Sequence, residues 1–556
     1  MSGKLVPFVA AALTALAAPA SAQHDHVRGD QPAQLGTVTF PVSCNVAARA
    51  HFSRAVAWLH SFEYEEAERS FDDVLAADPA CAMAHWGVAM TQYHPLWTAP
   101  TLAELEKGRR AIGEALKVPA GSARDRAYIE ALASFYDPAL TDHKSRTLAY
   151  EKAMAGLSAA YPSDAEAAIF YALAMIAAGS SDGDKSFARQ TAAAAILNAK
   201  LAEMPDHPGI AHYLIHAYDS PQLATLALPA ARRYAGLAPA SAHAQHMPAH
   251  IFIRLGLWDE AIESNLRAAA AGEEFARRHQ LAGSTAERLH AMDYLAYAYL
   301  QSAQDAKAEA VLAAQASIPH VDPPSPIAAY SFAAVPARLV LERGQWAKAA
   351  ELTLAPGTLA VLPWANFRHA EAHIHFARAV GAARSGRLAL AHAEVDQLKA
   401  LREALRQADD NYDWGLQVEI QQRIASAWLD YAEGRKEAAL VAMRQVADLD
   451  DATEKHPVTP GQLLPAREEL AELLLLTGRP ADALGEFEAT LEREPGRFNA
   501  IYGAAQAARE AGQADKARGY YAALLRQSCG GDGRMAELTE ARAFPGLDQA
   551  AACRVR

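Results

Sequence analysis

The segment GRPADALGEFEATLEREP, from Gly478 to Pro495, is followed by a second segment of the same layout, GQADKARGYYAALL, which starts at Gly512. A glycine, an alanine and an aromatic residue recur at a spacing of 34, as Gly478 and Gly512, Ala483 and Ala517, and Phe487 and Tyr521. In both segments apolar residues at helical spacing follow a glycine turn. A period of this length predicts an array of helical hairpins, each of which buries its apolar face against the next.

The same period runs through much of the chain. The fragment EEAERSFDDVLAADP, which ends at Pro79, has the layout of the segment that ends at Pro495. The fragment RLGLWDEAI, from Arg254 to Ile262, has the glycine turn, the aromatic residue and the alanine of the same unit. Ala193, Ala227 and Ala261 carry the 34-residue spacing through the middle of the chain.

This layout resembles the tetratricopeptide repeat (TPR), a helix-turn-helix unit with small residues where its helices cross. The resemblance covers most of residues 47–525 and implies an all-α fold, a TPR-like α-solenoid with a concave groove. We expect residues 47–528 to form about 10–12 repeats, some of them degenerate, between an N-terminal segment at 23–46 and a C-terminal tail at 529–556. Grooves of this kind commonly bind a protein or peptide.

The first 22 residues have the pattern of a secretory signal peptide. Lys4 supplies the positive charge, the run from Leu5 to Leu16 is apolar, and small residues precede an expected cleavage after Ala22. No later apolar stretch is long enough to span a membrane. We therefore expect an exported, periplasmic protein without a membrane span.

The composition narrows the possible partners. Of the 556 residues, 51% are apolar and 21% are charged, which is enough apolar surface for a sizeable core. The formal net charge of -13 comes without a basic stripe, so neither nucleic acid nor an anionic membrane is an expected partner.

The four cysteines suit an oxidising compartment. Cys44 and Cys81 flank the first predicted hairpin, and Cys529 and Cys553 lie near each other at the opposite end. We expect one disulfide in each pair, and four unpaired cysteines are the alternative. None of them forms a CxxC motif, which removes support for thiolate zinc, c-type haem and thioredoxin chemistry.

Histidines recur at the repeat period. The TPR resemblance implies that positions 2, 5, 9 and 12 of the first helix of a unit face the groove. Three consecutive units carry polar residues at these positions: His212, His216 and Asp219 at 5, 9 and 12; His243, His246 and His250 at 2, 5 and 9; His290, Asp293 and Tyr297 at 2, 5 and 9. The two HxxxH pairs therefore occupy the same positions of adjacent units.

Two imidazoles at i and i+4 lie on one helical face and can bind one metal ion. We expect His212, His216, His246 and His250 to converge on a transition metal, with Asp219, His243, His290 and Asp293 as auxiliary or outer groups. Imidazole without thiolate favours Zn or Cu, with Fe or Ni as alternatives. The protein would then be a metalloenzyme or a metal carrier.

Two other interpretations remain at this point. The histidines can be hydrogen-bonded residues of a duplicated unit, or they can line a groove for a non-metal ligand such as a peptide. Pro248 also predicts a helix that begins inside the second pair, since proline is best placed in a first turn. The sequence contains no HExxH, Walker, GxSxG or GxGxxG motif that would name a reaction.

Overall fold

The computed structural model describes residues 34–96, 99–182, 185–321, 323–406, 412–532 and 535–547. Within these ranges the chain is helical and has no β-strand, apart from an isolated bridge between Ser284 and Val321. The helices up to residue 182 are α1 (Val46–His60), α2 (Tyr64–Ala77), α3 (Ala82–Met90), α4 (Leu102–Lys117), α5 (Ala123–Ala133), α6 (His143–Ala160) and α7 (Ala165–Asp182).

The middle of the chain contains α8 (Ala188–Glu203), α9 (Pro208–Tyr218), α10 (Ala224–Leu237), α11 (Ala242–His246), α12 (Pro248–Arg254), α13 (Trp258–Arg278), α14 (Ala286–Gln301), α15 (Asp305–Ala316), α16 (Pro326–Leu341), α17 (Trp346–Ala350), α18 (Pro356–Val361) and a 3₁₀ helix at Trp364–Asn366. The remaining helices are α19 (Arg368–Arg384), α20 (Leu388–Arg406), α21 (Trp414–Ala432), α22 (Lys436–Asp451), α23 (Ala466–Leu476), α24 (Pro480–Arg493), α25 (Phe498–Glu510), α26 (Ala514–Gln527) and α27 (Ala536–Ala543). The last of these lies within the predicted C-terminal tail.

Successive helices pack against each other along the chain, and the hairpins stack as a TPR-like α-solenoid. This confirms the fold class expected from the 34-residue period. Gly478 and Gly512 have φ values of 78° and 75° and end the first helix of their hairpins. Only glycine adopts this left-handed conformation without a steric cost, which explains why it recurs at this position.

Close packing between hairpins requires glycine at two positions far apart in the chain. A Cβ atom on Gly87 would lie 2.2 Å from the Phe71 ring, and one on Gly503 would lie 2.2 Å from the Phe487 ring. The ring of one hairpin thus fills the space that the missing side chain of the next leaves open.

One connecting segment covers the inner helices of the middle repeats. Between α22 and α23, the chain passes over α14 and α16. Tyr294 Oη donates to the carbonyl of Pro457 at 2.9 Å. Arg338 donates to the carbonyl of Gly461 and to the Thr459 hydroxyl, both at 2.8 Å. Backbone carbonyls of an irregular segment with turns are therefore bound by side chains of the solenoid.

A disulfide links Cys44, just before α1, to Cys81 at the start of α3, so it closes the first hairpin. The second expected pair includes Cys553, and the expected signal peptide occupies residues 1–22. Both lie outside the described residues and stay predictions. In the described part of the chain, no helix is long and apolar enough to cross a membrane.

The close contact at Gly503 predicts a measurable stability difference. Gly503→Ala should lower the free energy of unfolding by about 1–3 kcal/mol, because the new methyl group would displace the Phe487 ring. Gly485→Ala on the preceding helix α24 is the matched control, since a Cβ atom there meets nothing within 4 Å. Gly485→Ala should raise the free energy of unfolding by about 0.5–1 kcal/mol, because alanine is favoured over glycine inside a helix. Both variants are measured by urea unfolding. Equal effects of the two substitutions would contradict the packing described here.

Candidate metal centre

The histidines of the repeated positions lie in two groups of three. His212, His216 and His243 form the first triad, and His246, His250 and His290 form the second. Within each triad, one ring nitrogen of every histidine lies within 4.8 Å of the others. The four histidines that the sequence suggested as one shell are therefore divided between the two triads, and two expected auxiliary residues, His243 and His290, complete them.

The repeat geometry explains this grouping. Positions 5 and 9 of one unit meet position 2 of the next unit, and the same arrangement occurs twice in succession. Equivalent points in adjacent units are about one helix-packing distance apart, ~8–10 Å. The HxxxH pair of one unit therefore contacts position 2 of the next unit and not the HxxxH pair of that unit. As expected from Pro248, the second pair straddles a helix start: His246 ends α11 and Pro248 begins α12.

In the first triad, the hydrogen bonds of His212 determine where its proton lies. Its Nδ1 is 2.6 Å from the carbonyl oxygen of His60, which only accepts, so Nδ1 carries the hydrogen. In the neutral ring Nε2 then has a free lone pair. This Nε2 lies 3.0 Å from His216 Nε2 and 3.1 Å from His243 Nε2. Three ring nitrogens thus converge on one point.

In the second triad, hydrogen bonds determine the position of the hydrogen on two histidines. His246 Nδ1 is 2.7 Å from Asn265 Oδ1, whose Nδ2 donates to the Ala261 carbonyl, so His246 Nδ1 is the donor. His250 Nδ1 is 3.0 Å from the Asp219 carboxylate and is also a donor. The Nε2 atoms of His246 and His250 then face each other at 3.0 Å with two lone pairs and no hydrogen in the neutral rings.

Burial keeps these rings neutral. It lowers the pKa of His212 to about 3, although the hydrogen bond to the His60 carbonyl acts in the opposite direction. The pKa of His246 is lowered well below its ordinary value by burial and then by the charge of His250. The pKa of His250 is lowered by burial against the opposing effect of Asp219. A shared proton therefore does not separate the facing lone pairs at neutral pH, whereas a metal cation would.

An aromatic ring packs against each triad. The ring centroid of Phe62 is 4.4 Å from that of His212, and 5.7 and 5.8 Å from those of His216 and His243. The Tyr294 ring is 4.6–5.3 Å from the three rings of the second triad. Phe62 is in the α1–α2 turn at a φ of 56°, which is uncommon for phenylalanine. Nothing in the local sequence links Phe62 to histidines so far along the chain.

The two expected aspartates have different positions. Asp219 accepts from His250 Nδ1 and from Arg254 Nε at 2.9 Å, so it orients one histidine of the second triad. Asp293 instead pairs with Arg338 at 2.9 Å, with both side chains buried. Asp219 thus contacts a triad histidine, and its outer role at a metal stays a prediction, whereas Asp293 helps to hold the segment that covers α14 and α16.

A third group that the sequence analysis missed contains His60, Glu166 and His207. Both His Nε2 atoms are 3.0 Å from oxygens of the Glu166 carboxylate. Burial would raise the pKa of Glu166, but the two histidines lower it to about 2. Here nitrogen donors face oxygen acceptors, so the contacts are satisfied without a cation. Because the His60 carbonyl accepts from His212, this group supports the first triad.

Comparisons with known proteins find only solved structures that are weakly similar to this chain. No protein-family model and no curated protein matches the chain. Among solved structures, the TPR domain of P58(IPK) is 11% identical over 85% of this chain and 100% of that chain, with a TM-score of 0.20. Naa15/Naa10 bound to HypK-THB is 14% identical over 89% and 74%, with a TM-score of 0.23. Yeast Tom70 is 12% identical over 91% and 95%, with a TM-score of 0.27.

The lowered histidine pKa values predict acid sensitivity of the metal-stripped protein. Below about pH 6.5 the unfolded chain binds protons that the buried histidines do not, so the free energy of unfolding falls as pH is lowered. For His212 this window extends down to about pH 3. Each such histidine contributes a slope of up to about 1.4 kcal/mol per pH unit.

His290→Gln tests this slope, because burial lowers the pKa of His290 well below its ordinary value. The free energy of unfolding of the stripped protein is measured in urea at about pH 7, 6 and 5. Its slope against pH should be smaller for the variant than for the wild type, by the contribution of roughly one proton. His51→Gln, on the exposed face of α1, is the control and should leave the slope unchanged. Parallel slopes for all three proteins would show that His290 takes up its proton in the native state as readily as in the unfolded chain.

Proposed function

We propose that this chain is an exported helical-repeat protein that binds two transition-metal ions, one in each histidine triad. The observation that carries the proposal is the pair of bare Nε2 atoms at 3.0 Å in the second triad; one repeat earlier, the bare Nε2 atom of His212 lies 3.0 Å from His216 Nε2. Facing lone pairs in a buried, neutral pair repel each other, and a cation between them turns this repulsion into two bonds. The Cys44–Cys81 disulfide supports export, since disulfides persist in oxidising compartments.

The Nδ1 hydrogen bonds of three triad histidines are those that ligating histidines usually make. A histidine that binds metal through Nε2 commonly donates Nδ1–H to a carbonyl or a carboxylate, which fixes the ring and its tautomer. His212, His246 and His250 do this through the His60 carbonyl, Asn265 and Asp219. Histidines kept only for packing have no reason to share this pattern across two repeats.

The donor set indicates the class of metal. Three neutral imidazoles without thiolate suit Zn or Cu, and Fe or Ni fits less closely. Zn²⁺ held by three protein ligands keeps a fourth position for water or another ligand, which is the arrangement of a catalytic site. We therefore favour a metalloenzyme or a metal carrier over a purely structural site.

The alternative function, a scaffold that binds a protein or peptide, retains support in part of the chain. Over α14 and α16 the inner surface is covered by the chain's own segment, whose carbonyls are bound by Tyr294 and Arg338. The hairpins from α23 to α26 have no triad in the described residues and follow the general repeat layout. A peptide partner would bind there without affecting the histidines.

The proposal predicts two metal ions per chain in untagged protein, measured by inductively coupled plasma mass spectrometry after dialysis. His212→Ala should remove one ion and leave the second, and His246→Ala should do the converse. The double variant should retain none, because each triad loses a ligand that the other does not share. His51→Ala should retain both ions and serves as the control for changes in histidine number.

Two results would overturn this arrangement. Protein that takes up no transition metal at neutral pH would remove the metal function and favour the scaffold. One ion per chain that is lost equally in His212→Ala and His246→Ala would restore the single four-histidine shell in place of two triads.

A further inference from the structure

A cavity of about 570 Å³ adjoins the first triad. Its volume is within the range of ~300–1,000 Å³ that is typical of small-molecule sites. The wall includes the segment before α4, the ends of α7 and α9, the segment before α8, the start of α21, and the end of α22 with the residues that follow it. His216, a member of the first triad, forms part of this wall. None of the histidines of the second triad does so.

Apolar side chains make up a large part of the wall. Six of them offer a surface that suits a hydrocarbon or aromatic group: Pro95, Leu96, Ile176, Phe187, Leu416 and Leu449. Asp219 and Ser220, close to His216 along the chain, are among the polar groups of the wall, and this part beside the first triad is called the polar end. The cavity therefore offers apolar surface together with polar groups beside the first triad.

The charged groups of the wall largely balance one another. Arg254 pairs with Asp219 at 2.9 Å and lies 3.6 Å from Glu454. Lys455 donates to the Thr459 carbonyl at 2.9 Å. The three carboxylates Asp219, Asp413 and Glu454 are matched by the bases Lys185, Arg254 and Lys455. A divalent ion on three neutral imidazoles would add two positive charges at the polar end, which would attract an anionic oxygen.

We propose that this cavity binds a small organic molecule with an apolar body and a single anionic oxygen group, and that this group ligates the ion of the first triad. The inference rests on the proposed metal function and adds the ligand class to it. The three histidines leave a tetrahedral ion one open position, and His216 brings that ion to the cavity wall. None of the second triad's histidines lines the cavity, so the ligand's anionic group reaches only the ion of the first triad.

Cobalt-loaded protein and 2-naphthoate test the proposal, because the visible spectrum of Co²⁺ reports its coordination. The naphthoate should saturate the protein and change this spectrum, whereas acetate, which has the same carboxylate and no apolar body, should bind at least about tenfold more weakly. His216→Gln should abolish the spectral change, since the first ion is lost and the second is closed to the cavity.

Leu416→Trp fills the cavity away from the triad and should weaken 2-naphthoate by about tenfold or more, with cobalt content and the response to acetate unchanged. Leu449→Phe is a smaller change of the same kind in case the first variant folds poorly. Val441→Trp, at an exposed position outside the cavity, should bind naphthoate like the wild type.

The outcomes separate this inference from the metal function. Absence of bound cobalt in wild-type protein would refute the metal sites and the cavity proposal with them. Two bound ions together with equal affinities for naphthoate and acetate would refute the cavity proposal alone. Naphthoate binding that is insensitive to both cavity substitutions would do the same, since the ligand would then lie elsewhere.

Discussion

Each hairpin of this chain can bury its apolar face only against the next hairpin, and this constraint organises everything else in the molecule. Because the units stack in a regular way, residues that occupy the same position in successive units point in the same direction. Position 5 and position 9 of one unit therefore meet position 2 of the following one. The histidine triads are a consequence of stacking: no single hairpin contains all three members of either triad.

Electrostatics turns this placement into a candidate function. Burial disfavours the charged form of an imidazole, so the ring nitrogens of both triads are neutral near pH 7. The outer contacts then assign the hydrogens, since the His60 carbonyl and the Asp219 carboxylate can only accept. At the centre of the first triad, His212 Nε2 lies 3.0 and 3.1 Å from the Nε2 atoms of His216 and His243. At the centre of the second, the Nε2 atoms of His246 and His250 face each other at 3.0 Å. The Glu166 group is also buried and contains two histidines, but their nitrogens face the oxygens of a carboxylate, so it has no such need for a cation.

The sequence predicts the architecture and much of the candidate site. The 34-residue period predicts the hairpins, and the repeat positions of His243 and His290 already place them beside the HxxxH pairs. Which imidazoles meet depends on the offset between adjacent units, which sequence spacing does not contain. Phe62, His60 and the segment from Lys455 to Gln462 reach the triads or their neighbouring helices from distant parts of the chain. Tertiary contacts of that kind leave no local pattern.

The extent of the histidine array has a physical explanation at both ends. Position 2 of the first unit is Gly209, where a Cβ atom would lie 2.5 Å from His60 Nδ1, so a histidine there would collide with the group that supports His212.

In the third unit, positions 5 and 9 are Asp293 and Tyr297. Asp293 binds Arg338, and the Tyr297 hydroxyl lies 3.3 Å from Arg497. The groove positions thus differ in use along the solenoid: in the proposed function two units hold cations, whereas the next unit binds later segments of the chain itself. Residues of those later segments, from the start of α21 and from the end of α22 onward, also line the cavity that His216 borders. Distant parts of the chain therefore build the cavity wall together, and in our proposal this wall encloses the ligand of the first triad.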